Sequence, residues 1–133
     1  MMPAATTAGG VYFAAPDVCN TPSPAGPVPI PYPNIGQVPA SVSTVSTVLI
    51  QNMPTVAEGS KVPLSSGDEP GVGGGVVSGV NMGEVQPKLF SSKVFFAGKK
   101  AVFLTCMTGQ NGSNANAIGA MVAPSQMAVL VAP

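Results

Sequence analysis

Few residues in this chain could do chemistry. Its 133 residues include no histidine and no arginine, so neither a Ser-His-Asp nor a Cys-His arrangement can form within it. The reactive groups are two cysteines, Cys19 and Cys106, and five acids. The neighbouring acids Asp68 and Glu69 lie in the turn sequence SSGDEPG, where acids commonly bond to the backbone. We therefore expect no catalytic residue and no enzymatic activity.

Cofactor and metal sites are equally difficult to build from these residues. A zinc site made of Cys and His needs four ligands, and this chain offers two cysteines; adding Asp17 or Asp68 would be unusual. The glycine-rich segment 64–84 lacks both phosphate-binding patterns, G-x-x-x-x-G-K-[ST] and G-x-G-x-x-G. Its glycines instead indicate close backbone approach and positive φ in a crowded fold. The sequon Asn111-Gly112-Ser113 is interpreted as a turn. We expect no cofactor and no metal ion.

The two cysteines leave two alternatives open: one disulfide, or two free thiols. The first residues, MMPAATTAGG, show neither a basic n-region nor an apolar h-region, so no secretory signal peptide is expected. Thiols persist in a reducing cytoplasm, which favours two free thiols.

Composition predicts the elements that must carry these residues. Sixteen glycines and fifteen prolines exclude long helices and predict many short strands and turns. The length suits a single domain over residues 1–133, which we expect to be all-β. No net charge is present, so the electrostatic signature of a nucleic-acid-binding protein is missing. Charged residues make up only 8% of the chain, which indicates either a surface largely covered by a partner or a small secreted β-protein.

The segment CNTPSPAGPVPIPYPNIG, residues 19–36, has a proline at every second position from 27 to 33. Residues before proline are extended, and alternate N–H groups of a strand point to the same side. The prolines therefore delete every donor along one edge, as an edge strand tolerates. We expect an edge strand with Val28, Ile30 and Tyr32 packed inward. The alternative is a polyproline II ligand for an SH3-like domain.

A loose repeat follows the proline-rich strand. Residues 46–60 and 92–106 align at an offset of 46, which matches Leu49 to Phe95 and Ile50 to Phe96. Each predicts a hairpin, with turns at Asn52-Met53 and Gly98-Lys99. The last residues, SQMAVLVAP, are similar to the first arm of this unit without its return.

The segment PDVCNTPSPAGPVPIPYPNIG (16–36) resembles the signature of PAAR-like proteins that carry a Pro-Ile-Pro-Tyr motif. The resemblance continues through 59–79, 82–84, 91–105, 109–116 and 123–131, so it covers nearly the whole chain. The motif residues, which we assign a structural role, are Pro29, Ile30, Pro31, Tyr32, Pro33 and Asn34.

This resemblance implies a small cone of stacked β-hairpins with proline- and glycine-rich loops. Such a domain caps and sharpens the blunt end of a trimeric VgrG-type spike, one copy per trimer, in type VI secretion or a related contractile injection machine. Relatives usually bind zinc through three histidines and one cysteine, a site that a chain without histidine cannot form in that way.

The resemblance also implies a bacterial cytoplasmic protein that leaves the cell on the spike and contacts a membrane only transiently. No effector domain is expected beyond the cap. The alternative function is an adaptor that docks a separate toxic effector, or its chaperone, onto the spike.

Overall fold

The computed structural model describes residues 2–132 and contains no α-helix in that range. It consists of short strands and one 3₁₀ turn, which confirms the predicted all-β fold with small sheets. In chain order the elements are β1 (Met2–Pro3), β2 (Val11–Thr21), β3 (Val28–Gln37), the 3₁₀ turn Val38–Ala40, β4 (Val45–Ile50), β5 (Met53–Thr55), β6 (Gln86–Pro87), β7 (Phe95–Phe96), β8 (Lys99–Lys100), β9 (Met107–Gln110), β10 (Ala117–Ala123) and β11 (Leu130–Val131). No helix within residues 2–132 has the length and apolar character needed to cross a membrane.

The main sheet is antiparallel, with the order β3-β2-β10-β9-β6, so the proline-rich strand β3 lies at an edge as predicted. The donor pattern agrees with the proline spacing. Ile35 lies two residues after Pro33, so its N–H group points to the same side of β3 as the proline nitrogens. This N–H group donates to Ser66 O at 2.7 Å, on the side away from β2. Because the prolines share that side, most of the free edge of β3 has no donor.

The side chains between the prolines are less buried than predicted. Ile30 and Tyr32 are half-buried, whereas Val28 is 41% exposed. The inward packing predicted for Val28 is therefore wrong. Val28 pairs with Thr21 at the far end of β2, beyond both hydrophobic clusters, so there is no core for it to reach.

Three two-stranded units surround one hydrophobic cluster. Two are the predicted hairpins, β4–β5 and β7–β8, and the third pairs β11 with β1. Val131 lies opposite Met2, as Ile50 lies opposite Met53 and Phe96 opposite Lys99. The return strand missing from SQMAVLVAP is thus supplied by β1, from the other end of the chain.

The two hairpin turns lie one residue earlier than predicted, at 51–52 and 97–98. All four residues have positive φ: 52° at Gln51, 65° at Asn52, 53° at Ala97 and 82° at Gly98. Positive φ at both central positions is the type I′ geometry, whose twist matches the strands. Asn52 and Gly98 take the second central position of these turns, and Asn and Gly are the residue types that adopt positive φ most readily.

Two hydrophobic clusters and a polar layer form the interior. The three units enclose the first cluster: Ala4, Val45, Ile50, Ala57, Phe96, Ala101, Phe103 and Val131. The second lies under the main sheet: Ala5, Tyr12, Val38, Val56, Val62, Val85, Val102, Cys106 and Met121. Beyond it, Asn34 Nδ2 donates to Gln110 Oε1 at 3.1 Å, and Gln110 Nε2 donates to Thr108 Oγ1 at 3.0 Å, all fully buried.

Candidate functional site

A closed ring of backbone hydrogen bonds joins the three units. Ala5 N donates to Val102 O at 2.9 Å, Val102 N to Val56 O at 3.3 Å, and Val56 N to Ala5 O at 2.9 Å. Each residue has the same relation to the next, so the ring defines an approximate threefold axis through the chain.

A second ring of hydrogen bonds surrounds the same three residues. Its donors lie two residues after Ala5, Val56 and Val102 in the chain, and its acceptors lie two residues before them. Thr7 N bonds to Pro54 O at 3.0 Å, Glu58 N to Lys100 O at 2.8 Å, and Leu104 N to Pro3 O at 2.9 Å. The second ring is displaced from the first by the same two residues in all three units, so the equivalence of the units extends over several residues of each. One polypeptide therefore presents three nearly equivalent units at one end, which we call the three-hairpin end.

Exposure follows the same symmetry. Ile50, Phe96 and Val131 occupy equivalent positions and are 7%, 6% and 1% exposed. The preceding residues, Leu49, Phe95 and Leu130, are equivalent as well and are 53%, 51% and 46% exposed. Each unit thus sends one apolar side chain inward and one outward, as strand alternation requires. We call Leu49, Phe95 and Leu130 the apolar triad.

At the other end of β2, beyond the polar layer, a group of polar side chains lies buried. Asp17, Cys19 and Asp68 are fully buried, and their candidate ligand atoms lie within 4.8 Å of one another. We call these three residues the apical cluster. Asn111 Nδ2 donates to Asp17 Oδ1 at 3.1 Å and contacts Cys19 Sγ at 3.5 Å, and Asn116 Nδ2 also donates to Asp17 Oδ1.

Local backbone geometry brings the apical cluster together. Asp17 and Cys19 share a face of β2 because they are two residues apart. A bulge between Ala14 and Asp17 shifts the register, so that Tyr12 and Asp17 both point inward although their spacing is odd. Asp68 arrives from the glycine-rich segment, which pairs with β2 through the bridge between Cys19 and Gly75.

Burial controls the protonation of the apical cluster. Burial, with smaller contributions from Asp17 and Asp68, raises the pKa of the Cys19 thiol to about 12, so Cys19 is protonated at neutral pH. Its S–H group donates to Asp68 Oδ2 at 3.6 Å. Burial, together with contact with Asp17, raises the pKa of Asp68 to about 6. Cys106 lies apart in the second hydrophobic cluster, where burial raises its pKa to about 12 as well. Both cysteines are free and buried.

Comparison with known proteins shows the family of the chain. The model of the toxin PAAR-like domain family, Tox-PAAR-like, matches residues 10–117, which is more than half of the chain. The chain belongs to this family. PAAR-like domains are generally associated with spikes, which gives the domain a spike-associated or effector-related role. No curated protein and no solved structure matches the chain.

In this PAAR-like chain the predicted motif residues lie together on β3, directly beside the apical cluster. Tyr32 pairs with Asp17 and Ile30 with Cys19 across the β2–β3 ladder. The Tyr32 hydroxyl lies 2.6 Å from Thr21 Oγ1, and Asn34 joins the polar layer. The motif therefore holds in place the strand that carries Asp17 and Cys19.

Zinc, which PAAR relatives bind through histidines and a cysteine, does not fit this donor set. The chain has no histidine, and the apical cluster would supply three ligands where structural zinc takes four. Asn111, the next side chain in contact, presents its N–H donors to Asp17 and Cys19, and an N–H group is not a ligand.

Sequence reasoning considered Asp17 and Asp68 beside the cysteines as metal ligands and set them aside, and it missed Asn111 as a member of the group. Both acids accept from the backbone as predicted, Glu69 from Gly67 N and Asp68 from Met82 N, but Asp68 is also fully buried beside Asp17 and Cys19. Asn111 does lie in a turn, with φ 59°, but its side chain is fully buried. The Asp-x-Cys spacing at 17–19 indicated that these two side chains share a face of a strand, but no sequence pattern indicated that Asp68 and Asn111 would join them.

Proposed function

We propose that this PAAR-like protein is a non-enzymatic tip that caps and sharpens a trimeric VgrG-type spike, one copy per trimer. The spike belongs to a type VI secretion system or a related contractile injection machine. The protein resides in the bacterial cytoplasm before firing, leaves on the spike and meets a membrane only transiently. Nucleic acid has no part in this role.

The approximate threefold axis is the observation that carries the proposal. A trimer ends in three identical surfaces, and a single chain can contact all three in the same way only if it repeats one feature three times. The two hydrogen-bond rings and the apolar triad are such a repeat. The units are two-stranded, so each also has strand edges with which a partner can pair.

The chemistry of the buried groups supports a role without catalysis. Cys19 is fully buried and protonated at neutral pH, so it is a poor nucleophile. Asp17 and Asp68 are buried together and do not face an open cleft. The open groove beside β6 is lined by Glu58, Lys61 and Lys88, without a cysteine or a paired acid.

A second role, docking of a separate effector or its chaperone, is favoured by another exposed surface. The glycine-rich segment carries four valines that are all exposed: Val72, Val76, Val77 and Val80. They lie outside the three-hairpin end, so an effector bound there would leave that end free for the spike.

The proposal is tested by mixing the purified protein with VgrG-type trimers from bacteria that encode it and measuring the mass of the complex. We expect one PAAR-like chain per three spike chains. Leu49→Asp, Phe95→Asp and Leu130→Asp should each weaken binding by roughly tenfold or more, because a charge replaces apolar contact.

Ile118→Asp is the matched control, since Ile118 is also exposed, at 59%, but lies on β10 outside the three units. Equal weakening by all four variants, or no complex with any trimer, would contradict the cap. Recovery of an effector from cells in which injection survives deletion of the protein would favour the adaptor.

A further inference from the structure

Two carboxyl groups are buried together in the apical cluster, and no lysine within residues 2–132 forms an ion pair with either of them. Asp17 and Asp68 are both fully buried. The ion pair found within residues 2–132 joins Lys61 to Glu84 at 2.9 Å, so Lys61 is not available to either aspartate. Two carboxylates whose oxygens lie within 4.8 Å, out of reach of solvent, each disfavour the ionisation of the other.

Each carboxyl group has one oxygen that is satisfied and one that is not. Asp17 Oδ1 accepts from Asn111 and Asn116, whereas Asp17 Oδ2 is buried without a hydrogen-bond partner. Asp68 Oδ2 accepts from Cys19 Sγ and from Met82 N at 3.4 Å, whereas Asp68 Oδ1 is buried without a partner. One proton would turn one carboxyl group from an acceptor into a donor to the other, with which it is in hydrogen-bonding contact.

We propose that Asp17 and Asp68 share one proton, and that this pair, tied to Cys19 and Asn111, closes the apex of the chain in place of a metal ion. The proposal concerns how this end of the fold is held together. It stands or fails independently of whether the protein caps a spike.

The hydrogen bonds decide which aspartate holds the proton. Two amide groups donate to Asp17, while Asp68 has one long backbone bond and a weak thiol donor, so Asp68 is the better place for the proton. The raised pKa of Asp68 agrees with this assignment.

The other ionisable groups near the apex do not change the balance. On β2 they are Asp17 and Cys19, and Cys19 is an uncharged thiol at neutral pH. On β3, the Tyr32 hydroxyl is engaged with Thr21. On the glycine-rich segment, Glu69 is exposed and accepts from Gly67 N. The groups after β9, Asn111 and Asn116, are neutral.

The sign of the pH dependence follows. The folded chain holds a proton on Asp68 up to about pH 6, whereas the unfolded chain releases it near pH 4. The stabilisation is therefore complete below about pH 4 and is lost as the pH rises through about 6. From this pair alone, the unfolding equilibrium constant should increase by roughly tenfold to a hundredfold across that interval.

The test combines a direct titration with a stability measurement. Carbon-13 NMR of the aspartate carboxyls in the folded wild-type protein should show one group titrating near pH 6. Urea unfolding of wild type, Asp68→Asn and Glu58→Gln is then compared between pH 4.5 and 7.5. The amide introduced by Asp68→Asn is neutral at every pH and can still donate to Asp17, so this variant should lack the fall in stability that the other two proteins show. Glu58 is exposed, so Glu58→Gln controls for the loss of one carboxylate.

Elemental analysis of the same preparation should find no divalent cation near one equivalent per chain. One equivalent of zinc or another divalent cation would overturn the proposal. So would a titration in which both aspartates ionise below pH 4.5. If Asp68→Asn does not fold, the wild-type titration decides the question by itself.

Discussion

At the scale of single residues, glycines allow two segments of this chain to pack closer together than any side chain would permit. The glycine-rich segment packs so closely against β2 that Gly71 and Gly73 have no room for a Cβ. An added Cβ at Gly73 would lie 2.6 Å from Asn20 O, and Gly73 N itself donates to that oxygen at 2.9 Å. The predicted role of glycine, close approach of two backbones, is confirmed here.

We expect Gly73→Ala to lower the free energy of unfolding by about 1–3 kcal/mol, because the new methyl group must push the segment away from β2. Chemical denaturation measures this. Gly9→Ala is the matched control, since a Cβ at Gly9 would meet nothing nearer than 4.0 Å. A loss at Gly73 no greater than the loss at Gly9 would show that the segment is not closely packed.

At the scale of elements, the proline-rich strand is an edge that resists pairing with other chains. β3 ends the main sheet, and Pro29, Pro31 and Pro33 are exposed along it. An edge strand with free donors is a template for association. The alternation of proline removes these donors without removing the strand, because proline favours extended neighbours.

Replacement of Pro29, Pro31 and Pro33 by Thr should therefore cause concentration-dependent self-association. The three new N–H groups would point away from β2, and beyond the bridge between Ile35 and Ser66 another β3 could pair with them. Sedimentation velocity over a range of protein concentrations detects this. Pro24→Thr, in the turn before β3, adds a donor outside the edge and should behave like the wild type. A triple variant that sediments like that control would refute the argument.

At the scale of the whole molecule, β1 and β11 pair with each other although no turn connects them. The pair β1–β11 is equivalent to the hairpins β4–β5 and β7–β8, so Met2 and Val131 occupy the positions that Met53 and Ile50 occupy around the turn 51–52. The approximate threefold axis depends on the units and not on how the chain connects them.

A circular permutant of the 133-residue chain should consequently fold. Its ends would be joined by a short linker, and it would be opened between Gln51 and Asn52. We expect a melting temperature within several degrees of the wild type, because the three units and both hydrogen-bond rings are retained. Opening the chain within β10, between Gly119 and Ala120, should instead prevent folding, since β10 pairs with both β2 and β9. A permutant opened between Gln51 and Asn52 that loses as much stability as the one opened within β10 would contradict the equivalence of the three units.

The local features of this protein could be predicted from its sequence alone. Proline and glycine content excluded helices, the alternation of prolines 27–33 predicted the edge strand, and the offset of 46 paired Leu49 with Phe95 and Ile50 with Phe96. Each of these depends on steric preferences of neighbouring residues, which a sequence displays directly.

Which distant residues meet became visible only in the folded chain. The return of β11 to β1 and the approach of Asp68 and Asn111 to Cys19 join segments far apart in the chain. No local pattern encodes such contacts, because they follow from how the strands pack as a whole. The threefold end and the buried apical cluster are properties of that packing.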